Sequence, residues 1–241
     1  MSCETSKFVL ILRSLIFNLI FYPFSILYTG SLIFFYWLPR KKLLKLSSYY
    51  FEITKLFERH ILNLRYELIG KQHVPKGACI IAMKHQSVWE TLKILDIIDD
   101  PIVIYKKAVN WIPGLGWLIM RLDMISIDRS KGTVALKKII QKAKLRVKEN
   151  RQIMIYPQGT RITPGEKKPY KHGVAALYKA LNLPVVPVAV NSGIYWPKES
   201  FIKYPGKITI KILEPIQPGM KADAMLKKLE KMIETESDKL L

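Results

Sequence analysis

Residues 78–90 read ACIIAMKHQSVWE, and this stretch decides the fold. The first six residues, 78–83, form an uninterrupted apolar run, which is typical of a buried strand bounded by polar residues. Residues 88–98 then have the pattern of a helix. The polar residues between them therefore lie at the carboxyl end of an inner strand, where a helix begins, and this arrangement is the repeating unit of an α/β domain.

Strand-like and helix-like runs alternate from Tyr66 onward. The predicted strands are residues 66–69, 78–83, 102–105, 124–127, 152–156, 185–190 and 207–213. The predicted helices are residues 88–98, 110–120, 133–148, 173–180 and a last one near residue 223. This alternation predicts the α/β class, with a mostly parallel central sheet flanked by helices. Sites in such sheets form beyond the carboxyl ends of the strands.

The composition restricts the partners. The 241 residues include 39 Lys and Arg against 19 Asp and Glu, which gives a net charge of +20. Such a surplus predicts an anionic partner: nucleic acid, anionic lipid, or an acidic ligand or carrier. The two cysteines, Cys3 and Cys79, lack the spacing of a metal site or a disulfide framework, so we predict no metal. We divide the chain into an N-terminal membrane anchor, residues 1–45, and one domain, residues 46–241.

The N-terminal segment predicts a membrane location. Residues 14–39 carry no charge, and about 20 apolar residues suffice to span a bilayer. No Ala-x-Ala signal cleavage site follows, because the first alanine is Ala78. A straight span, a kinked span and two short helices dipping into one leaflet all fit, and a long buried core helix is the alternative. The basic residues that follow, Arg40, Lys41, Lys42 and Lys45, predict that the domain faces the cytoplasm.

The location of two further apolar segments has two possible interpretations each. Residues 43–64 are amphipathic at helical spacing, so this helix either lies on an anionic membrane surface or packs on the domain. Trp111, Ile112, Leu115 and Trp117 either form an apolar surface near lipid or belong to the core.

His85 and Glu90 form the first candidate site. An acid that holds one imidazole nitrogen fixes the tautomer and leaves the other nitrogen free to accept a proton. Such a pair needs no serine from the protein when the substrate brings its own hydroxyl. The alternative is a polar histidine at a strand end without any catalytic role.

A second candidate site follows the strand at residues 152–156. Gly159 lets the backbone approach a ligand closely, Thr160 offers a hydroxyl, and Arg161 offers a planar fork for phosphate oxygens. Lys106 and Arg129 are further candidate anion contacts. A turn with a solvated arginine is the alternative.

In order along the chain, four segments resemble the four blocks of the glycerolipid acyltransferases. They are His85-x4-Glu90, the region from Lys106 to Arg129, YPQGTR at residues 156–161 and LPVVPVA at residues 183–189. The resemblance is greatest to the bacterial 1-acyl-sn-glycerol-3-phosphate acyltransferases and covers about residues 66–213.

The resemblance implies a reaction and a set of roles. The reaction is transfer of a fatty acyl group from acyl-CoA or acyl carrier protein to the sn-2 hydroxyl of lysophosphatidic acid (1-acyl-glycerol-3-phosphate). The product is phosphatidic acid, for phospholipid biosynthesis, and no cofactor is required. His85 would be the catalytic base and Glu90 its orienting acid, and Pro187 would pack near the acyl chain. The acceptor phosphate would be bound by Gly159, Thr160 and Arg161, assisted by Arg129 and Lys106.

Two residues depart from the family pattern, because Glu90 replaces the usual Asp and Gln158 replaces the usual Glu. The longer side chain of Glu90 raises the question of whether its carboxylate reaches the imidazole, and Gln158 removes a charge from the third block.

An acyltransferase for another lysolipid, such as a lysophospholipid or a lyso-aminolipid, fits the same residues. A non-catalytic basic protein of the membrane surface or of nucleic acid is the other class. We predict no nucleic-acid partner, because the lysines are dispersed and no nucleic-acid motif occurs. The expected location is the cytoplasmic face of the bacterial inner membrane.

Overall fold

The computed structural model describes residues 6–128, 130 and 132–241. Its strands are β1 (Leu64–Ile69), β2 (Ile80–Met83), β3 (Pro101–Lys106), β4 (Ile125–Ile127), β5 (Gln152–Ile155), β6 (Val185–Val190) and β7 (Gly206–Ile212). Its α-helices are α1 (Lys7–Ser31), α2 (Arg40–Ile61), α3 (Ile94–Ile97), α4 (Leu115–Arg121), α5 (Gly132–Val147), α6 (Gly173–Leu181), α7 (Ser192–Tyr195) and α8 (Ala222–Asp238).

The seven strands form one sheet in the order β1-β7-β6-β2-β5-β3-β4. Every described pairing between neighbours is parallel except that of β6 with β7, which confirms the predicted α/β class and mostly parallel sheet. β2 lies near the centre, between β6 and β5. The carboxyl ends of these three strands therefore meet at one edge of the sheet.

Helices cover both faces of the sheet. Side chains alternate along β2: Cys79, Ile81 and Met83 pack in one core cluster, and Ile80 and Ala82 pack in the other. The first cluster lies under α1 and α2, and the second lies under α5, α6 and α8. This double coverage explains why β2 and β6 are apolar throughout and fully buried.

The N-terminal helix α1 packs along the domain. Its buried stripe includes Ser14, Phe17 and Phe21, and the Phe17 ring meets the edge of Trp196 at a centroid distance of 5.2 Å. The opposite side exposes large apolar side chains, among them Phe8, Leu19 and Leu27. The helical segment Lys7–Phe35 is long and apolar enough to cross a membrane.

The amphipathic helix predicted over residues 43–64 is α2, and it packs on the domain. Its buried stripe includes Leu43, Tyr50, Thr54 and Glu58. The predicted boundary between the membrane anchor and the domain, at residue 45, falls within this helix. The division of the chain into an anchor and a domain stays a prediction.

The prediction of one continuous helix over residues 88–98 is wrong. Residues Trp89–Lys93 form a 3-10 turn, and only the single turn α3 is α-helical. Within this turn the Glu90 side chain folds back and accepts hydrogen bonds from the backbone amides of Gln86 and Ser87. Trp89 and Lys93 also both bind the buried carboxylate of Glu58, which holds this segment against α2.

The helix predicted over residues 110–120 is likewise shorter. A 3-10 turn covers Lys107–Trp111, and α4 begins only at Leu115. Gly114 separates the two with a φ of +74°, where a Cβ would lie 2.7 Å from Thr29 Oγ1 of α1. The proline and glycine at residues 113–114 interrupt the helix so that α1 can approach closely.

Candidate active site

The three central strands deliver the candidate residues to one edge of the sheet. His85 follows β2, residues 159–161 follow β5, and Ser192 follows β6. Because β2 lies between the other two strands, His85 stands in the middle, with the β5 loop on one side and the β6 loop on the other.

The carboxylate of Glu90 lies next to the His85 ring. Glu90 Oε2 is 3.4 Å from His85 Nδ1, and Glu90 is fully buried. No well-aligned hydrogen bond to Nδ1 occurs within the described part of the chain. Catalytic hydrogen bonds in unliganded sites are often long and shorten when substrate binds. The extra methylene of Glu90 therefore still brings a carboxylate within ion-pair distance of the imidazole.

Backbone amides and a hydroxyl hold the Glu90 carboxylate. Oε1 accepts hydrogen bonds from the amides of Gln86 and Ser87, each at 2.9 Å, and Oε2 accepts a second one from Ser87 at 3.0 Å. Ser192 Oγ also donates to Oε1. This set of donors satisfies both oxygens of the buried side chain and fixes its orientation.

The aromatic ring of Tyr156 lies against the His85 ring, with centroids 4.0 Å apart and planes inclined by 22°. Burial, and after it the charge of Glu90, raises the pKa of Tyr156 well above its ordinary value. The phenol therefore stays neutral and serves as a flat apolar support for the imidazole.

The loop after β6 packs directly on the loop that carries His85. The amide of Gly193 donates to Gln86 Oε1 at 3.0 Å. A Cβ at Gly193 would lie 2.8 Å from the ring of Pro164 and 2.9 Å from Gln86 Cβ, so only glycine fits without displacement. Sequence reasoning missed this loop, because a lone Ser-Gly after a strand is not a distinctive pattern.

A cation-lined cavity of about 350 Å³ is formed by the loop that follows β5 and the loop that follows α7. Its lining residues are Thr160, Arg161, Ile162, Glu166, Lys167, Lys168 and Lys198. The amide of Ile162 donates to the His85 carbonyl at 2.8 Å, so the cavity wall and the histidine are joined directly. Four cations face one acid there, which suits an anionic ligand.

The remaining predicted phosphate contacts differ in placement. Gly159, with a φ of +70°, lies immediately before the cavity residues Thr160 and Arg161. Lys106 is exposed at the end of β3 and is not among the residues that line the cavity. Arg129 lies outside the described residues. Lys198, which does line the cavity, comes from the loop after α7 and was missed.

Pro187, the residue of the fourth block, lies within β6. It is buried opposite Ala82 of β2, and its carbonyl accepts a hydrogen bond from Leu213 at 2.9 Å. This position suits packing of the central sheet rather than contact with a reacting group.

Within the described ranges no group of three or more His, Cys, Asp or Glu side chains is arranged to hold a metal ion.

The candidate site combines an α/β sheet, a histidine–carboxylate pair at the carboxyl end of its central strand, and an adjoining cationic cavity. The chain belongs to the acyltransferase family, whose model, described as Acyltransferase, matches residues 65–191.

Several known proteins with related sequences or folds are named as acyltransferases of 1-acyl-sn-glycerol 3-phosphate. The chain is 36% identical over 165 residues to a 1-acyl-sn-glycerol-3-phosphate acyltransferase of Pseudomonas aeruginosa, covering 68% of this chain and 63% of that protein. It is 32% identical to the enzyme of the same name from Cocos nucifera, over 57% of this chain and 46% of that protein. The matched region thus spans about half to two thirds of these relatives.

A solved structure matches the whole fold. The crystal structure of the 1-acyl-sn-glycerophosphate (LPA) acyltransferase PlsC from Thermotoga maritima superposes with a TM-score of 0.77 at 25% sequence identity. The match covers 97% of each chain, so it includes the N-terminal helices as well as the sheet.

Proposed function

We propose that this protein transfers a fatty acyl group from an acyl thioester to the free sn-2 hydroxyl of 1-acyl-sn-glycerol 3-phosphate, giving phosphatidic acid. The observation that carries the proposal is the position of His85, which lies 3.4 Å from the buried Glu90 carboxylate and is joined through its carbonyl to Ile162 in the wall of the cation-lined cavity. The names of the related proteins support the same acceptor.

In the proposed mechanism His85 acts as general base. The imidazole nitrogen that faces away from Glu90 accepts the proton of the acceptor hydroxyl while that oxygen attacks the thioester carbonyl carbon. The carbon–sulfur bond then breaks, and the imidazolium returns the proton to the departing thiolate. Glu90 stabilises the imidazolium between these two steps. General-base assistance of this kind contributes about 10²- to 10⁴-fold.

The cavity positions the acceptor. Arg161 offers two parallel donors to a phosphate, while Lys167, Lys168 and Lys198 add positive charge around it. A phosphate bound there fixes the distance from the glycerol hydroxyl to His85. Correct placement of a bound reactant contributes to the rate independently of proton transfer.

The direct test measures transfer of a labelled acyl group by purified protein. His85→Ala should lose at least about 10²-fold in kcat, because the general base is removed. His60→Ala is the matched control, since His60 is exposed on α2. A His85→Ala rate within threefold of wild type would refute the mechanism.

Acceptor choice is tested with a panel of lysolipids. Arg161→Ala should raise the KM for lysophosphatidic acid and affect phosphate-free lysolipids little, whereas Arg59→Ala on the exposed part of α2 should affect neither. If wild-type protein prefers a phosphate-free lysolipid, the acceptor assigned here is wrong, and the family's alternative, another lysolipid, takes its place.

The acyl donor is proposed to be acyl-CoA or acyl carrier protein, both of which are anionic. The helices α5, α6 and α8 cover one face of the sheet and expose many lysines, among them Lys137, Lys138, Lys142, Lys179, Lys227 and Lys228. Attraction between this face and an acidic donor is screened by salt. The rate with carrier-bound donor should therefore fall steeply with added salt, and a flat response would contradict this use of the charge.

We propose that the exposed side of α1 inserts into the cytoplasmic leaflet of the bacterial inner membrane. Trp37 and Trp111, exposed by 74% and 85%, are candidate interfacial anchors. Lys41, Lys42 and Lys45 are exposed on α2 and suit anionic headgroups. Because α1 also packs on the domain, an in-plane position fits it better than a free span. Co-sedimentation of wild-type protein and of Leu19→Glu with anionic vesicles tests this placement: the variant should remain in solution.

A further inference from the structure

Gln158 occupies the place where the family usually has an acid, and it is buried without a charge. Its Oε1 accepts a hydrogen bond from the backbone amide of His85 at 3.0 Å. Its Nε2 donates to Glu234 Oε1 at 3.3 Å. One end of this side chain thus faces a donor and the other faces a carboxylate, and an amide satisfies both without taking up a proton, as an acid would have to.

Glu234 belongs to α8, beyond the region that the family model matches. Besides Gln158 it binds Tyr170 Oη at 2.8 Å through Oε1 and Lys84 Nζ at 2.7 Å through Oε2. Lys84, which immediately precedes His85, is 1% exposed, so its charge is balanced inside the protein by Glu234.

These contacts fix the backbone of the catalytic histidine. The His85 amide is bound by Gln158, and the His85 carbonyl accepts from Ile162. The preceding side chain, Lys84, is tied to the same carboxylate that binds Gln158. We propose that Gln158 and Glu234 are a matched pair of positioning residues, through which the C-terminal helix sets the placement of His85. This inference rests on the proposed acyl transfer.

The pair predicts what an acid at position 158 does in this protein. Gln158→Glu would place two carboxylates next to each other with one lysine, Lys84, to balance their charge, and the repulsion between them favours a shared proton. Relative to wild type at the same pH, we expect kcat to fall at least tenfold at pH 8 and to recover partly toward pH 6, where a larger fraction of the protein holds the shared proton. A purely structural role would give no such dependence on pH.

The exchanged double variant is the decisive experiment. In Gln158→Glu/Glu234→Gln the carboxylate at 158 accepts from the His85 amide and from the new amide at 234, whose oxygen accepts from Lys84. The number of buried charges is unchanged. We expect each single variant to lose at least tenfold in kcat and the double variant to return to within threefold of wild type. Glu230→Gln, one turn earlier on α8, is the matched control.

Failure of this proposal is distinguishable from failure of the proposed function. If the wild-type protein shows no acyl-transfer activity, the proposed function is wrong. The coupling between Gln158 and Glu234 is also measured by urea unfolding, which does not depend on activity. The unfolding midpoint of the double variant should lie closer to that of wild type than the midpoint of either single variant. A single variant with wild-type kcat, or a double variant no better than the worse single, would overturn the pairing. If a charge variant fails to fold, Gln158→Met keeps the volume and should lower kcat without raising the acceptor KM.

Discussion

The substitution Glu90→Gln isolates the orienting role of the acid, because it keeps the shape of the side chain and removes its charge. The Oε1 position receives three donors, from Gln86, Ser87 and Ser192, so the oxygen of the amide should take that position. The amide nitrogen is then left at the Oε2 position, facing His85 Nδ1. A donor there favours the tautomer in which the outer nitrogen carries the hydrogen, and that nitrogen no longer accepts a proton.

Two contributions set the size of the effect. Loss of a hydrogen bond between charged groups costs about 1.5–3 kcal/mol, which is roughly 10- to 150-fold in rate. A wrong tautomer of a catalytic histidine costs up to about 10⁴-fold. Because the ring and the carboxylate are 3.4 Å apart and imperfectly aligned, we expect a loss in kcat of about 10²- to 10⁴-fold, with the KM of the acceptor little changed.

The assay is single-turnover acyl transfer from a labelled thioester, with urea unfolding of the same preparations as the control for folding. Glu90→Asp is the comparison variant, since it restores the family's usual acid but withdraws the carboxylate by up to about one bond length, ~1.5 Å. It should retain more activity than Glu90→Gln. Equal activity of Glu90→Gln and wild type would refute the tautomer argument.

Three further variants test the surroundings of the site. Ser192→Ala removes one donor to Glu90 and should lower kcat roughly tenfold while the protein stays folded; unchanged kcat would count against this contact. Gly193→Ala forces a Cβ to within 2.8 Å of Pro164 and should lower the free energy of unfolding by about 1–3 kcal/mol, measured with urea. Burial lowers the pKa of Lys203 to about 8, so below that pH its charge destabilises the fold. Lys203→Met should therefore raise the free energy of unfolding at pH 7 by roughly 2 kcal/mol, a gain that shrinks from pH 8 to 10.5; a constant gain would contradict the assignment.

The inner strands and the edge of the sheet that carries the site were predictable from local patterns. Residues 78–83 and 185–190 are apolar throughout because both faces of their strands are covered, and such runs identify inner strands of a parallel sheet. His85 and Arg161 follow inner strands directly, so their meeting at one edge follows from the fold class.

The remaining residues of the site depend on contacts between distant segments. Ser192 reaches Glu90 only because β6 lies beside β2, and no local pattern encodes that adjacency. The bridge from Gln158 to Glu234 joins residues 76 positions apart. One signal was available: Glu234 directly follows the buried Ile233, so this acid lies at the edge of the inward face of α8.

The 3-10 turn at Trp89–Lys93 shows how a side chain overrides a helical pattern. Residues 88–98 have suitable apolar spacing, but the buried carboxylate of Glu90 takes the amides of Gln86 and Ser87 for itself. Periodicity carries no information on such a contact between a side chain and the backbone, so the 3-10 form of this segment was not predictable from it.

Because β2 is central in the sheet, the backbone on either side of His85 should differ in its rate of hydrogen exchange. Backbone amides of a strand flanked on both sides and covered on both faces exchange with solvent mainly through global unfolding, whereas loops exchange through local opening. The slowest hydrogen exchange should therefore occur at residues 80–83, immediately before His85, and faster exchange at the loop that carries Lys198. His85 therefore directly follows the most protected strand, whereas the loop of Lys198, which forms part of the cavity wall, is expected to open locally.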